Sequence, residues 1–568
     1  MEKQAGLSPQ NQKFTRSAAR NKFKPYVVFI LVLTMLCYLQ FWQPSCRTAR
    51  AQAPLKTYRD GNFTWTDCGS GLTCSTFEVP VDWHNSDSPR FKLALIRLKA
   101  TKKVSKGALF VNPGGPGGSG VDFIKRAGDV VSKMVDGHYD IIGFDPRGVG
   151  DSNTIRCFED GIESKKFMAN RPQALGYGDN VANFAAVQEA FASQCIRKNK
   201  DFLPYVSTAS VARDLDALRE AFGEDVTNYI GFSYGTFIGA VYVNMFPDRV
   251  GRFMVDGCLD PSLYSGENLK LVASSLIHTD DGIDAMGSAC EAAGPEKCAL
   301  ARKSNNSLSG DSYVASTIRK FVNNLIEKPL LATNQPVISV VTELDVSGFL
   351  FSSTYKAALW PRFAEAIDEA IRTGRGDAIV DASMQRDTDL CPLVEPYLAA
   401  QSPIMCLDGH HDEHQNLTSW MQGVDEAINV SSTAGRIMGT SMMRCLYWNV
   451  KASERYTGPW NRTTKNKVLI VGATGDPVTP VENAARLEEL MEGNGVFHKH
   501  YGWGHCSLGQ PSQCTLQVIK KYFVDGELPP KGSNCPFEYN PFDPPVAFSE
   551  GEVSYDDIAR AAYAIKPF

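Results

Sequence analysis

Three side chains, far apart in the chain, have the types and settings that acyl-transfer chemistry needs. Ser233 lies in Gly231-Phe232-Ser233-Tyr234-Gly235. A serine hydroxyl is a poor nucleophile until a base takes its proton, and that base must be oriented by an acid. Glycines two before and two after the serine permit the sharp strand-to-helix turn that lifts a hydroxyl above a sheet. Asp476 follows the apolar run that ends Val471-Gly472-Ala473-Thr474-Gly475, and His505 follows Gly502-Trp503-Gly504. Asp476 could be an ordinary turn residue ahead of Pro477, and His505 an ordinary loop histidine. Of the 9 histidines, however, only His505 has this placement.

The tetrahedral oxygen of acyl transfer also needs two donors. The backbone N–H of Tyr234, at the start of the following helix, is one candidate. The glycine loop Asn112-Pro113-Gly114-Gly115-Pro116-Gly117-Gly118-Ser119-Gly120 is positioned to supply the other. A phosphate cradle is the rival reading of that loop, but it lacks the terminal Gly-Lys-Ser/Thr and the spacing that goes with it.

The elements that must position these groups alternate. Short apolar runs read as strands at Ala108 to Val111, Tyr139 to Phe144, Val226 to Gly231 and Arg252 to Asp256, and again at Lys467 to Gly472 and Val496 to Tyr501. Between them, Ser207 to Phe222 carries a helical stripe of Val211, Leu215, Leu218 and Phe222, closed by Gly223. Strands alternating with helices predict an α/β fold with a mostly parallel central sheet. The order Ser, Asp, His along the chain is that of the α/β-hydrolase fold. From 261 to 455 the rhythm becomes helical, as in Leu359, Phe363, Ile367 and Ile371 before Gly374. The expected division is a core at 65–260, a large helical cap insertion at 261–455, the rest of the core at 456–535 and a tail at 536–568.

Composition narrows the setting. With Lys plus Arg 58 against Asp plus Glu 63, the net charge is -5, and no concentrated basic face for nucleic acid is expected. The charge is uneven at the start. Residues 1–25 hold six basic side chains and one acidic one and read as a disordered cytoplasmic tail. An uncharged apolar run, 26–42, follows. It reads as a signal-anchor, giving a single-pass type II membrane protein, or as a signal peptide cut near Ala49-Arg50-Ala51. Either way the later residues reach a lumenal or extracellular space. Cys37 lies in that run and leaves 14 of the 15 cysteines beyond it, an even number suited to disulfides. Cys68 with Cys74, Cys290 with Cys298, and Cys506 with Cys514 suggest local loops. Sequons at Asn62, Asn305, Asn416, Asn429 and Asn461 fit the same compartment.

The motifs together resemble the tripeptidyl and prolyl aminopeptidase group of α/β-hydrolases. The likeness spans roughly 65 to 535. It rests on Asn112-Pro-Gly-Gly-Pro-Gly117, Gly143-Phe-Asp-Pro-Arg-Gly-Val-Gly-Asp-Ser152, Gly231-Phe-Ser-Tyr-Gly-Thr236, Asp476-Pro-Val-Thr-Pro480 and Gly504-His505. The stretch from Cys445-Leu-Tyr-Trp448 to His505 is similar to the C-terminal module of the tripeptidyl enzymes. Pro113 stands where prolyl aminopeptidases typically carry histidine, which moves the match toward the tripeptidyl branch. The resemblance implies Ser233 as nucleophile, Asp476 as acid, His505 as base, and Gly115 with Tyr234 as oxyanion donors. It also implies a serine exopeptidase acting on peptides with a free N-terminus, with no metal or organic cofactor.

An aminopeptidase must bind a substrate ammonium, and Glu343, Asp345, Glu365 and Asp408 in the insertion are among many candidate carboxylates, none of them singled out. His410-His-Asp-Glu413-His414 matches a zinc-peptidase pattern formally, yet it reads as a polar surface loop leading into the Asn416 sequon. A carboxylesterase on the same triad is the main alternative, because fold alone does not choose the acyl substrate. A catalytically silent binding ectodomain is a further one, opposed by the intact triad and glycine loop.

Overall fold

The computed structural model describes residues 57–168, 174–266, 268–303, 312–383, 396–409, 415–543 and 554–565. The apolar run 26–42, Cys46, Cys391, the Asn305 sequon and the zinc-like motif 410–414 lie outside the described residues. Among the described residues no helix is long and apolar enough to cross a membrane.

Four strands open the chain: β1 (Thr57–Asp60), β2 (Phe63–Gly69), β3 (Leu72–Pro80) and β4 (Arg90–Leu98). They pair antiparallel in sequence order, and β4 then joins β6 antiparallel. The rest of the large sheet is parallel: β5 (Ala108–Asn112), β6 (Asp140–Phe144), β7 (Thr227–Phe232), β8 (Val250–Asp256), β11 (Val468–Gly475), β12 (Gly495–Trp503) and β13 (Asn534–Cys535). The spatial order is β1-β2-β3-β4-β6-β5-β7-β8-β11-β12-β13. Every residue of β5 and β7 is buried, as expected of central parallel strands covered on both faces.

Alternation along those strands feeds two cores. Phe110 and Tyr229 point into one, while Leu109, Val111, Ile230 and Phe232 point into the other. Each such side chain contributes about 1.5–3 kcal/mol when fully buried. The helix Thr208–Ala221 matches the predicted stripe, with Val211, Leu215 and Leu218 inward. Between β8 and β11 the chain is largely helical, with a third core around Ile283, Trp360, Phe363 and Ile367. This stretch also holds a two-stranded hairpin, β9 (Leu330–Ala332) with β10 (Ser339–Val341). In the tail, helix Tyr555–Ala564 lies on helix Gly120–Met134, with Arg560 paired to Asp129 and Lys133 to Asp557.

Five disulfides form among the described residues: Cys68–Cys74, Cys157–Cys195, Cys290–Cys298, Cys406–Cys445 and Cys514–Cys535. Such usage marks a chain folded in an oxidising, extracellular-type compartment. The expected Cys506–Cys514 loop is not made. Cys514, in helix Gln513–Asp525, is bridged to β13, while Cys506 is a buried free thiol beside His505. Proximity in sequence failed here because the two residues belong to different elements.

The Asp-Pro-Arg-Gly turn after β6 is a structural device. The Arg147 guanidinium forms a bidentate pair with Asp214 at 2.5 and 2.7 Å and also donates to the carbonyls of Pro80 and Val81. Trp83 Nε1 donates to the same carboxylate, and both charged side chains are fully buried. Removing one partner of such a pair leaves a charge without compensation. Arg147→Met is therefore expected to cost about 3–5 kcal/mol in urea denaturation. Arg147→Met combined with Asp214→Leu should recover most of that loss, and a double variant no more stable than the single one would contradict this account.

Candidate active site

β7 ends in the tight turn that the glycine spacing predicts. Ser233 has φ 56° and ψ -125°, and helix Tyr234–Met245 starts at the next residue. A non-glycine residue rarely holds this backbone unless its surroundings impose it. Here the Ser233 N–H donates to the Asp256 carbonyl at 3.0 Å, which ties the turn to the end of β8. Gly235 lies against Asn112 of the glycine loop, and Tyr229 Oη donates to the Gly235 carbonyl.

The glycine loop lies directly over this turn. A Cβ added to Gly114, whose φ is +93°, would stand 2.5 Å from the Phe232 carbonyl oxygen and 2.7 Å from Ser233 Cβ. The Gly114 N–H is already taken by Asn112 Oδ1 at 2.9 Å. The N–H groups of Gly115 and Tyr234 have no acceptor among the described residues, so both are free to donate to a substrate oxygen. Asp145 braces the loop from behind, accepting from Ser119 Oγ and from the Val121 and Asp151 N–H groups. Burial pushes its carboxyl up to about 6, against those three donors.

Asp476 follows β11 and His505 follows β12, which are parallel neighbours, so the two loops emerge side by side. His505 Nδ1 lies 3.0 Å from both carboxylate oxygens of Asp476. The carboxylate also accepts from the N–H groups of Val478, Thr479 and Cys506 and from Thr479 Oγ1. Burial alone would raise the Asp476 pKa, but the His505 charge and these hydrogen bonds hold it below the ordinary value. Thr479 Oγ1 reaches His505 Nδ1 as well, at 3.1 Å. The other imidazole nitrogen, Nε2, is buried and has no hydrogen-bond partner among the described residues. It is thus not bonded to the Ser233 hydroxyl in this structure; such bonds commonly tighten only when substrate binds.

The sequence reading omitted several neighbours. Tyr355, from the insertion, packs edge-on against the His505 ring with centroids 5.2 Å apart, and its carbonyl accepts the His505 N–H at 2.8 Å. Thr279 Oγ1 donates to the Pro477 carbonyl, a second tie from the insertion. Thr479, three residues after Asp476 in a turn, was legible as a local cap; Tyr355 had no sequence signal. Asp476, His505 and Cys506 bring donor atoms within 4.8 Å of one another. Two of them are already bonded to each other, and burial raises the Cys506 thiol well above its ordinary value.

The carboxylates considered for a substrate ammonium are largely engaged locally. Glu343 accepts from Ser347, and Asp345 closes a capping box with Thr342. Asp408 is buried and accepts from Thr208 N–H and Oγ1, while Glu365 is exposed.

Two family models match the chain: an alpha/beta hydrolase fold model over residues 107–276 and a TAP-like protein model over 431–535. The chain has the α/β-hydrolase fold, and its residues 431–535 are similar to TAP-like proteins. It is similar to serine protease Hip1 of Mycobacterium tuberculosis (strain ATCC 25618 / H37Rv), 29% identical over 504 residues that cover 83% of this chain and 90% of the relative. The tripeptidyl aminopeptidase of Streptomyces lividans is 28% identical over 512 residues, covering 87% and 90%. Carboxylesterase B of the same M. tuberculosis strain is 29% identical over 486 residues, covering 81% and 86%. Gly114→Ala should displace the glycine loop or the serine turn, because the Phe232 carbonyl and the Ser233 Cβ, fixed in the tight turn, cannot yield cheaply. A loss of turnover on the order of 100-fold is expected from such a misplacement, read as slower fluorophosphonate labelling of Ser233. Labelling at the unmodified rate would show that the loop does not touch the reacting groups.

Proposed function

We propose that the protein is a serine exopeptidase that releases short peptides from free N-termini, in the manner of a tripeptidyl aminopeptidase. The observation that carries this reading is the buried Asp476–His505 pair together with a strained Ser233 turn under a glycine loop. His505 Nε2 takes the Ser233 proton as Oγ attacks the scissile carbonyl, and later returns it to the leaving amine. Asp476 holds the imidazole through Nδ1 and stabilises its charged form. The Gly115 and Tyr234 N–H groups receive the oxyanion. The acyl-enzyme is then hydrolysed by water activated at the same nitrogen. The names of the tripeptidyl aminopeptidase and serine protease relatives support the peptidase reading.

The second reading, a carboxylesterase, is favoured by one specific observation, the similarity to carboxylesterase B. It would use the same triad and differ only in what the insertion admits. For location, the basic 1–25 and apolar 26–42 support a type II anchor that holds the catalytic domain outside the cytoplasm, with secretion following if the segment is cleaved.

The purified protein should hydrolyse a tripeptide anilide with a free N-terminus and leave its N-acetylated counterpart intact. Ser233→Ala should abolish that turnover. Hydrolysis of a short-chain nitrophenyl ester with neither anilide cut would overturn the peptidase reading in favour of the esterase.

A further inference from the structure

Asp256 is a buried carboxylate that the mechanism above does not use. It ends β8, next to β7 and β11, the strands that lead to Ser233 and Asp476. Its side chain has no solvent exposure and accepts from Ser507 N–H at 3.0 Å and Ser507 Oγ at 2.6 Å. Ser507 is two residues after His505. The Asp256 carbonyl accepts the Ser233 N–H. One residue therefore grips both the nucleophile turn and the histidine loop.

The next residue extends the grip. The Gly257 N–H donates to the Val471 carbonyl of β11. Gly257 has φ +69°, and a Cβ there would fall 2.5 Å from Cys506 Sγ and 3.0 Å from Thr479 Oγ1. The missing side chain is what lets the histidine loop and the Asp476 loop close over the end of β8. Cys506 itself holds a left-handed backbone, φ 59°, with its N–H on Asp476. A strained residue between His505 and Ser507 needs both ends fixed, and Asp256 fixes the far one.

We infer that Asp256 is a positioning residue for the reaction, holding His505 against Ser233 through Ser507 and lending negative charge to the imidazolium. The inference rests on the serine-hydrolase reading of Ser233, Asp476 and His505. The groups that face Asp256 are Asp476, His505, Cys506 and Cys258. Burial, with the Asp476 charge adding to it, raises its carboxyl to about 6 against the two Ser507 hydrogen bonds. Above that pH the carboxylate is ionised and its charge faces the His505 ring; below it that charge is lost.

The test uses the full chain, detergent-purified from a secretory host, with the rate of fluorophosphonate labelling followed across pH. Failure of the wild-type chain to label would overturn the triad reading itself. With labelling established, Asp256→Asn should lower the rate above about pH 6 and remove the acid limb that protonation of Asp256 produces as pH falls through about 6. Ser507→Ala removes one of the donors that hold the Asp256 carboxyl down, so it should slow labelling and move that limb to higher pH. Asp256→Ala should lower kcat on the order of 100-fold with KM near the wild-type value. If Asp256→Ala does not fold, as read by its thermal melt, Asp256→Asn decides alone. An Asp256→Asn limb superimposable on wild type, with rates within about twofold, would overturn the proposal while leaving the triad standing.

Discussion

A carboxylate without solvent contact must be surrounded by donors, and Asp476 is the group on which the rest of this site depends. Its oxygens accept from His505, from Thr479 twice, and from the Val478 and Cys506 backbones. Those bonds keep it ionised despite burial, and an ionised Asp476 fixes which nitrogen of His505 carries its proton. That choice leaves Nε2 as the ring nitrogen with a free lone pair. The same donors shape the chain. The turn through Val478 and Thr479 and the left-handed Cys506 both exist to aim N–H groups at one side chain.

The sheet makes this economy of parts possible. Parallel neighbours deliver their following loops to one edge, so the residues after β7, β8, β11 and β12 meet without long excursions. Ser233 and Asp476 are 243 residues apart, and the insertion between them adds contacts but is not what brings the two together. It supplies Tyr355 against the imidazole and Thr279 against the Pro477 carbonyl. A helical stretch with its own core thus touches the loops of both His505 and Asp476. A shift of that insertion would be felt at His505 and at Asp476 together.

What the sequence revealed follows the range of each signal. The serine turn, the glycine loop and the loops after β11 and β12 are local patterns, and each glycine or proline states a backbone need within a few residues. The central parallel strands were legible because both of their faces are buried. The opening antiparallel strands were not, since β2 and β3 mix exposed Thr, Asp and Glu with few buried positions. Asp256 at the end of a strand gave no warning of its role. Its partner Ser507 lies 251 residues away, and no pattern of spacing encodes that contact. The mistaken pairing of Cys506 with Cys514 has the same origin: short separation suggested contact, while helix Gln513–Asp525 turned Cys514 toward β13.

Substrate choice is written in contacts of that second kind. Glu343 and Asp345 are placed to start a helix, an arrangement that uses their charge on backbone and neighbouring hydroxyls. Asp408 is different. It is buried, its carboxyl is pushed up to about 7 by burial, and it caps the start of helix Thr208–Ala221 through Thr208. Tyr234 Oη in turn bonds to Thr208 Oγ1, so the insertion reaches the residue after the nucleophile by a chain of three side chains. An acid held this way serves the geometry of the serine turn before it can serve a ligand. The physical demand that a buried charge be satisfied thus accounts for why carboxylates abundant in the insertion do not, by their number, mark an ammonium pocket.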